Sequence, residues 1–175
     1  YPITFVAIRY IMKSLLLIRH AKSSWDNPGI RDFDRGLNER GLREAPMMAN
    51  LLLQRGMLPD LIVSSPAKRA ITTARFFAET AGQLESSIER NQDIYEASVR
   101  DILQIISQLP DHVHVVYLFG HNPTFTDVAN RFADDFIDNV PTCGIVHLET
   151  SAERWSEMYE VNTRLRACLF PKEVL

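Results

Sequence analysis

Two histidines and two arginines sit where apolar runs stop. In "SLLLIRHAKSSWD", which starts at Ser14, a run of leucines and isoleucine breaks at Arg19-His20. The run "LIVS", Leu61 to Ser64, leads into Ser65-Pro66 and then Lys68-Arg69. An extended piece ending at Tyr95 runs into Glu96, and "VHVVYLFG" runs into Gly120-His121-Asn122-Pro123. This set suits phosphate chemistry. A guanidinium presents a planar fork that pairs two phosphoryl oxygens at once. Fixed cations stabilise the charge on the equatorial oxygens during transfer. A neutral imidazole is a competent nucleophile near pH 7 and could carry the phosphoryl group until water removes it. A helix that starts after His121 would also offer free N–H groups to an anion.

Taken singly, each of these residues has a plainer reading. An Arg-His pair after a strand can be a solvated end, Arg69 a surface helix residue, Glu96 a solvated carboxylate, and His121 part of a turn. Four segments delivering such residues to one edge is the informative pattern. His112, His114 and His147 lie in or beside strand patterns without ligand-like spacing and read as structural or exposed. Neither G-x-x-x-x-G-K-[ST] nor G-x-G-x-x-G occurs, so the glycines form no nucleotide-binding loop.

The elements that must position these residues alternate. Strands are expected over Ser14–Ile18, Leu61–Ser64 and Val113–Gly120, with a short strand or extended loop over Asn91–Tyr95. Helices are expected over Asn38–Arg55, Ala67–Ala81, Val99–Gln108 and Asn122–Phe132. In the first helix, Leu42, Ala45, Met48, Ala49 and Leu52 recur at helical spacing, and Pro46 suggests that the main helix begins there after a short turn. Gly56 and Gly82 suit helix stops. "GIVHLET" and "RWSEMYEV" alternate apolar and polar residues, as an antiparallel pair at a sheet edge would. The residues after Val161 carry no pattern. Strands alternating with helices imply an α/β fold of three layers, αβα, with a mostly parallel central sheet, helices on both faces and an antiparallel edge near the C-terminus. Ligands of such folds bind outside the carboxyl ends of the strands.

The whole chain sets bounds. Its 175 residues suffice for one domain with a sizeable core. A hydrophobic fraction of 46% and a charged fraction of 23% are those of an ordinary globular protein. A net charge of −3 argues against a nucleic-acid partner bound through bulk positive charge, while a local basic pocket stays possible. The two cysteines, Cys143 and Cys168, have no metal-ligand spacing, and a reducing, cytoplasmic compartment fits best. "YPITFVAIRYIMK" is too short and too interrupted for a membrane span, and it lacks the features of a secretory signal. Met12-Lys13 immediately precedes the first strand. The expectation is therefore that residues 1–11 are a non-native or disordered extension and that 12–175 form one domain.

At this point the residues resemble a known family. "LLLIRHAKSSWD" resembles the opening Arg-His-Gly motif of the histidine phosphatase superfamily, the phosphoglycerate-mutase-like group. "RDFDRGLNERGLREA" resembles the segment that follows it, "IVSSPAKRAITTA" its "SSPxxRAxxTA" motif, and "FGHNPTF" the second-histidine motif of the SixA-type phosphohistidine phosphatases. The matches cover roughly Leu15 to Ala133 in family order. The forms "RHAKSSWD" and "GHNP" point to the SixA-type branch more than to the mutases.

The resemblance implies roles. His20 would be the nucleophile; Arg19, Arg69 and His121 would bind and polarise the phosphoryl group; Glu96 would be the candidate proton donor. Ser23 lies where members often carry a small hydroxyl residue near the phosphate. Ala21 replaces the usual glycine after the histidine, and Asp26 stands where an asparagine is common and is assigned no phosphate role. No long insertion follows Arg69, which implies a shallow, open site able to admit a phosphorylated side chain of a folded protein. The activity so implied is a phosphatase that needs no metal or other cofactor. Its substrate would be a phosphorylated protein, with phosphohistidine first, or a small phosphorylated molecule; neither nucleic acid nor a membrane is an expected partner. A phosphatase of small phosphomonoesters, a mutase and a non-catalytic phosphoprotein-binding module are the competing readings. Oligomeric state is not readable from the sequence.

Overall fold

A computed structural model of the chain describes residues 12–175. The extension expected over residues 1–11 lies outside the described residues. Six strands form one sheet in the order β3-β2-β4-β1-β5-β6. Strand β1 (Lys13–Arg19) lies between β4 (Val115–Gly120), which runs parallel to it, and β5 (Ile145–Thr150), which runs antiparallel. β4 pairs in parallel with β2 (Leu61–Ser64), and β2 with the two-residue β3 (Glu89–Arg90). β6 (Thr163–Leu169) closes the other side as the antiparallel partner of β5. The sheet is thus mixed, with its parallel part first and an antiparallel edge near the C-terminus.

The apolar run of β1 is continuous because both faces are covered. Leu15 and Leu17 enter one core with Val116 and Leu118 of β4, and with Ile102, Ile105 and Ile106 of α3 (Val99–Ser107) and Phe125 and Val128 of α4 (Thr124–Asn130). Leu16 and Ile18 enter the other core. There they meet Ala45, Met48 and Leu52 of α1 (Glu39–Gln54) and Ile71, Ala74 and Phe77 of α2 (Lys68–Thr80). Alternate side chains of a strand point to opposite faces, so one run feeds both layers. The chain steps outward from β1 through α1 to β2 and through α2 to β3, then returns through α3 on the other face and inserts β4 beside β1. The helices after β1 and β4 therefore lie on opposite faces. A crevice opens between the carboxyl ends of those two neighbouring strands.

Several expected elements differ in detail. α1 is one continuous helix with Pro46 in its interior, capped by the Asn38 side chain, which accepts from the Gly41 N–H at 2.9 Å. Pro46 is half-buried and has no N–H to donate to the carbonyl of Leu42, which is itself exposed. Leu42 is accordingly not a core residue; Gly41 is buried in its place. A Cβ at Gly41 would lie 2.3 Å from the Lys22 carbonyl oxygen, so glycine is what lets α1 press against the loop after His20. The segment 91–95 is a single 3-10 turn, Gln92–Ile94. The expected strand in "RWSEMYEV" is instead a 3-10 turn at Trp155–Glu157. The buried Trp155 is tied down there: its backbone N–H donates to Asp111 Oδ1 at 3.0 Å and its indole N–H to the Val113 carbonyl at 3.2 Å. The true partner of β5 is β6, in the stretch where no pattern was evident. Among the described residues no helix is long and apolar enough to cross a membrane.

Candidate active site

Three adjacent strands deliver the site. Arg19 pairs with Gly120 across β1 and β4, and Ser64 pairs with Phe119 across β2 and β4. The residues that follow, His20, His121 and Ser65, therefore emerge side by side. Backbone bonds continue the knit beyond the strands: the His20 N–H donates to the Gly120 carbonyl at 3.1 Å and the Ser65 N–H to the Phe119 carbonyl at 3.0 Å. Gly120 cannot be replaced cheaply, since a Cβ there would lie 2.4 Å from the Phe125 ring.

His20 is 7% exposed. Its Nδ1 lies 2.8 Å from the Ala21 carbonyl, and a carbonyl can only accept, so Nδ1 carries the proton. The lone pair is then on Nε2. Arg69, 6% exposed, donates its Nε–H to that atom at 3.3 Å. Burial pushes the His20 pKa down to about 3; the Ala21 carbonyl opposes this, and His121, Arg69 and Arg19 reinforce it. The imidazole is neutral at physiological pH, with its Nε2 unprotonated and directed at a guanidinium.

The His121 ring stands 5.2 Å from that of His20, centroid to centroid. Its Nε2 meets Ser65 Oγ at 2.8 Å, and its Nδ1 is buried without a partner among the described residues. Burial and Arg69 push its pKa down to about 4, against the pull of Asp32 and with the help of Arg19. Arg19 donates from Nη1 to the Val140 carbonyl at 2.8 Å, while its Nε is buried and unpaired. Burial, and next Arg69, lowers the Arg19 pKa from its ordinary value. A buried guanidinium N–H without a partner is uncommon in a folded chain, and Arg19 Nε, beside an unpaired ring nitrogen of His121, suits the holding of an anion.

Arg69 is anchored from behind. Its Nη1 donates to the Asp32 carbonyl at 2.6 Å and its Nη2 to Asp32 Oδ2 at 2.9 Å. The same carboxylate accepts from the Tyr95 hydroxyl at 2.9 Å and from Arg35 Nη2 at 2.8 Å. Burial works against ionisation of Asp32, but the bonds from Arg35, Tyr95 and Arg69 outweigh it and hold its pKa at about 2. Thr73, one turn after Arg69 on α2, donates its hydroxyl to the Arg69 carbonyl at 2.7 Å and accepts the Ala21 N–H at 3.0 Å. One hydroxyl thereby joins the His20 loop to the helix that carries Arg69. Behind the loop, the Cys143 N–H donates to the carbonyls of Arg19 and His20, each at 3.1 Å.

Arg19, His20, Arg69 and His121 come together as the sequence predicts. Glu96 and Ser23 do not join them directly. Glu96 is exposed, in the left-handed region at φ 57°, and lines a surface hollow with Gln92, Asp93 and Asp101. No described hydrogen bond or ion pair links it to the other four. Ser23 is buried and accepts from Arg35 Nη1 at 2.8 Å, so it serves the support of Asp32. Asp32, Ser65 and Thr73 carried no assigned role in the sequence reading. Ser65 had a visible signal, its place at the end of β2; Asp32 opens a single 3-10 turn, Asp32–Asp34, with no apolar periodicity. Among the described residues no group of three or more His, Cys, Asp or Glu side chains is placed to hold a metal ion.

Comparison with known proteins gives a consistent picture. The family model of the histidine phosphatase superfamily (branch 1) matches residues 15–115, a span that includes Arg19, His20 and Arg69 and stops before His121. An uncharacterized chloroplastic protein of Arabidopsis thaliana is 30% identical over 161 residues, covering 87% of this chain and 73% of that protein. The crystal structure of a candidate phosphohistidine phosphatase, SixA, from Agrobacterium tumefaciens superposes with a TM-score of 0.76 at 32% identity, covering 90% of this chain and 97% of that one. The protein histidine phosphatase SixA complexed with tungstate shares the fold, with a TM-score of 0.77 at 19% identity over 93% of this chain and 99% of that one.

Proposed function

The chain belongs to the histidine phosphatase superfamily, and from that premise we propose that it hydrolyses phosphohistidine in proteins through a phosphorylated His20. It is a phosphatase of the histidine phosphatase type. The observation that carries the mechanism is the state of His20: neutral, its Nδ1–H held by the Ala21 carbonyl, its unprotonated Nε2 accepting the Arg69 Nε–H.

In the first step Nε2 attacks phosphorus. The new N–P bond forms on His20 as the P–N bond of the substrate breaks. The His20 ring becomes cationic, and its Nδ1–H stays shared with the Ala21 carbonyl. Arg19, Arg69 and His121 stabilise the equatorial oxygens. In the second step water attacks phospho-His20, inorganic phosphate leaves, and the electron pair returns to Nε2.

The choice of a P–N substrate rests on the acid. An imidazole can leave already protonated, whereas an alkoxide needs a proton donor. The one carboxylate joined to the cluster, Asp32, has its pKa held at about 2 and is ionised at neutral pH, so it has no proton to give. Glu96, the donor expected from the family resemblance, makes no described contact with the cluster. At the carboxyl end of β3, on the side of the site, the chain passes to α3 through a single 3-10 turn at Gln92–Ile94, with no long insertion to roof the site against a protein-borne substrate.

The test is the ratio of kcat/KM for a phosphohistidine protein to that for an aryl phosphate, both with chelator present. The proposal requires the P–N substrate to be preferred. Preference for the phosphomonoester overturns the substrate assignment. Binding of both without turnover would make the chain a phosphoprotein-binding module.

A further inference from the structure

We propose that Ser65 is a positioning residue that fixes the ring tautomer of His121, so that the unpaired Nδ1 carries the proton and is presented to a phosphoryl oxygen. The proposal rests on the reading of His121 as a phosphoryl-binding residue. It goes beyond that reading by naming the group that decides which His121 nitrogen donates.

The inference follows from hydrogen-bond accounting. Ser65 is fully buried at the end of β2. Its Oγ accepts the Ala67 N–H at 3.3 Å, which leaves its hydroxyl hydrogen to be placed. The one acceptor described within reach is His121 Nε2, at 2.8 Å. If the hydroxyl donates there, Nε2 holds the lone pair and Nδ1 holds the hydrogen. The opposite tautomer fails twice: Nε2–H would point at Ser65 Oγ and leave a buried hydroxyl hydrogen without an acceptor. It would also put the lone pair on the unpaired Nδ1, and a lone pair repels a phosphoryl oxygen.

In the favoured arrangement the unmatched group is a single donor, the buried Nδ1–H. A buried donor without a partner is costly, and an oxyanion supplies the missing acceptor. The ring is also neutral in the free protein, so the tautomer, and not protonation, sets what it offers. Ser65 thus acts on the substrate only through His121. Its position is prepared by β2, and its backbone N–H is already committed to the Phe119 carbonyl at 3.0 Å.

The experiment is nitrogen-15 NMR of the ring nitrogens in the ligand-free protein at neutral pH, assigned by comparison with His121→Ala. The expected spectrum shows Nδ1 of His121 as the protonated, pyrrole-type nitrogen and Nε2 as the pyridine-type one. Ser65→Ala should mix the tautomers and lower kcat for an aryl phosphate on the order of 10²-fold, as loss of one preorganised donor does. Ser65→Thr, which keeps the hydroxyl, should restore the tautomer and most of the rate. A wild-type His121 protonated on Nε2 overturns the proposal, whether or not Ser65→Ala folds. An unmixed tautomer in folded Ser65→Ala overturns it as well. The tautomer is read without turnover, so this result stands apart from the fate of the proposed phosphatase reaction.

Discussion

Arg69 directs its Nε–H at Nε2 of His20, 3.3 Å away, from a position 49 residues along the chain. The two terminal nitrogens of that guanidinium each donate once to Asp32, through its carbonyl and its carboxylate. One planar group therefore faces the nucleophile with one edge and its anchor with the other. An ammonium has no such fork. Arg69→Lys is expected to lower kcat/KM by about 10²-fold or more, in the range for loss of a preorganised charge-stabilising donor. Steady-state rates on an aryl phosphate check this; a rate within a few-fold of wild type contradicts the role given to the fork.

Asp32 and Glu96 are separated by their contacts. Asp32→Asn removes the charge that anchors Arg69 and Arg35 and should lower kcat by roughly tenfold to a hundredfold through misplacement of Arg69. Glu96→Gln should leave turnover of a phosphohistidine protein near wild type. Parallel kinetics of the two variants decide the matter. A loss in Glu96→Gln as complete as in His20→Ala would show that Glu96 is the proton donor after all.

This contrast bears on what the sequence made legible. Arg19, His20, Arg69 and His121 could be found because each follows an apolar run or opens a helix, and a strand end is a fixed place in an α/β sheet. Asp32 could not: its short 3-10 turn packs through hydrogen bonds to arginines, which leave no apolar period. Thr73 reads as one more residue of an amphipathic helix, and its hydroxyl matters only because Ala21 comes to lie against it. β6 was missed for a related reason. Trp155 supplies an apolar beat that imitates a strand, while its two hydrogen bonds hold it in a turn. Pro46 was read as a boundary, whereas its half-exposed setting lets the helix run through it.

Thr73 links the nucleophile loop to α2, and its removal should be felt twice. Thr73→Val leaves the Ala21 N–H buried without an acceptor, a cost of about 1–3 kcal/mol. It also frees the loop that sets His20. Urea unfolding should show the lower stability, and kcat should fall while Thr73→Ser retains both. Unchanged unfolding in Thr73→Val would remove Thr73 from the account.

The buried histidines give a signed pH dependence. His20 has its pKa lowered to about 3, below its unfolded value, so the folded protein holds it neutral while the unfolded chain takes up a proton. The stability this contributes is present above the unfolded histidine range near 6.5 and is lost as pH falls toward 3. His121, at about 4, acts in the same direction. Between about pH 5.5 and 4.5 each should add on the order of 1 kcal/mol per pH unit to the slope of unfolding free energy, His20 more than His121. His20→Gln should reduce the slope by about one such proton's worth. An identical slope would mean that His20 is not held neutral.

The central claim is that His20 carries the phosphoryl group between the two steps. The most direct measurement is rapid quenching of a reaction with a labelled phosphohistidine protein, with chelator present, followed by mapping of acid-labile, base-stable phosphate on the enzyme. The account predicts label on the peptide containing His20 in the wild type and none in His20→Ala, with turnover lost in the same variant. Undiminished turnover in His20→Ala, or label trapped on another residue, would contradict it.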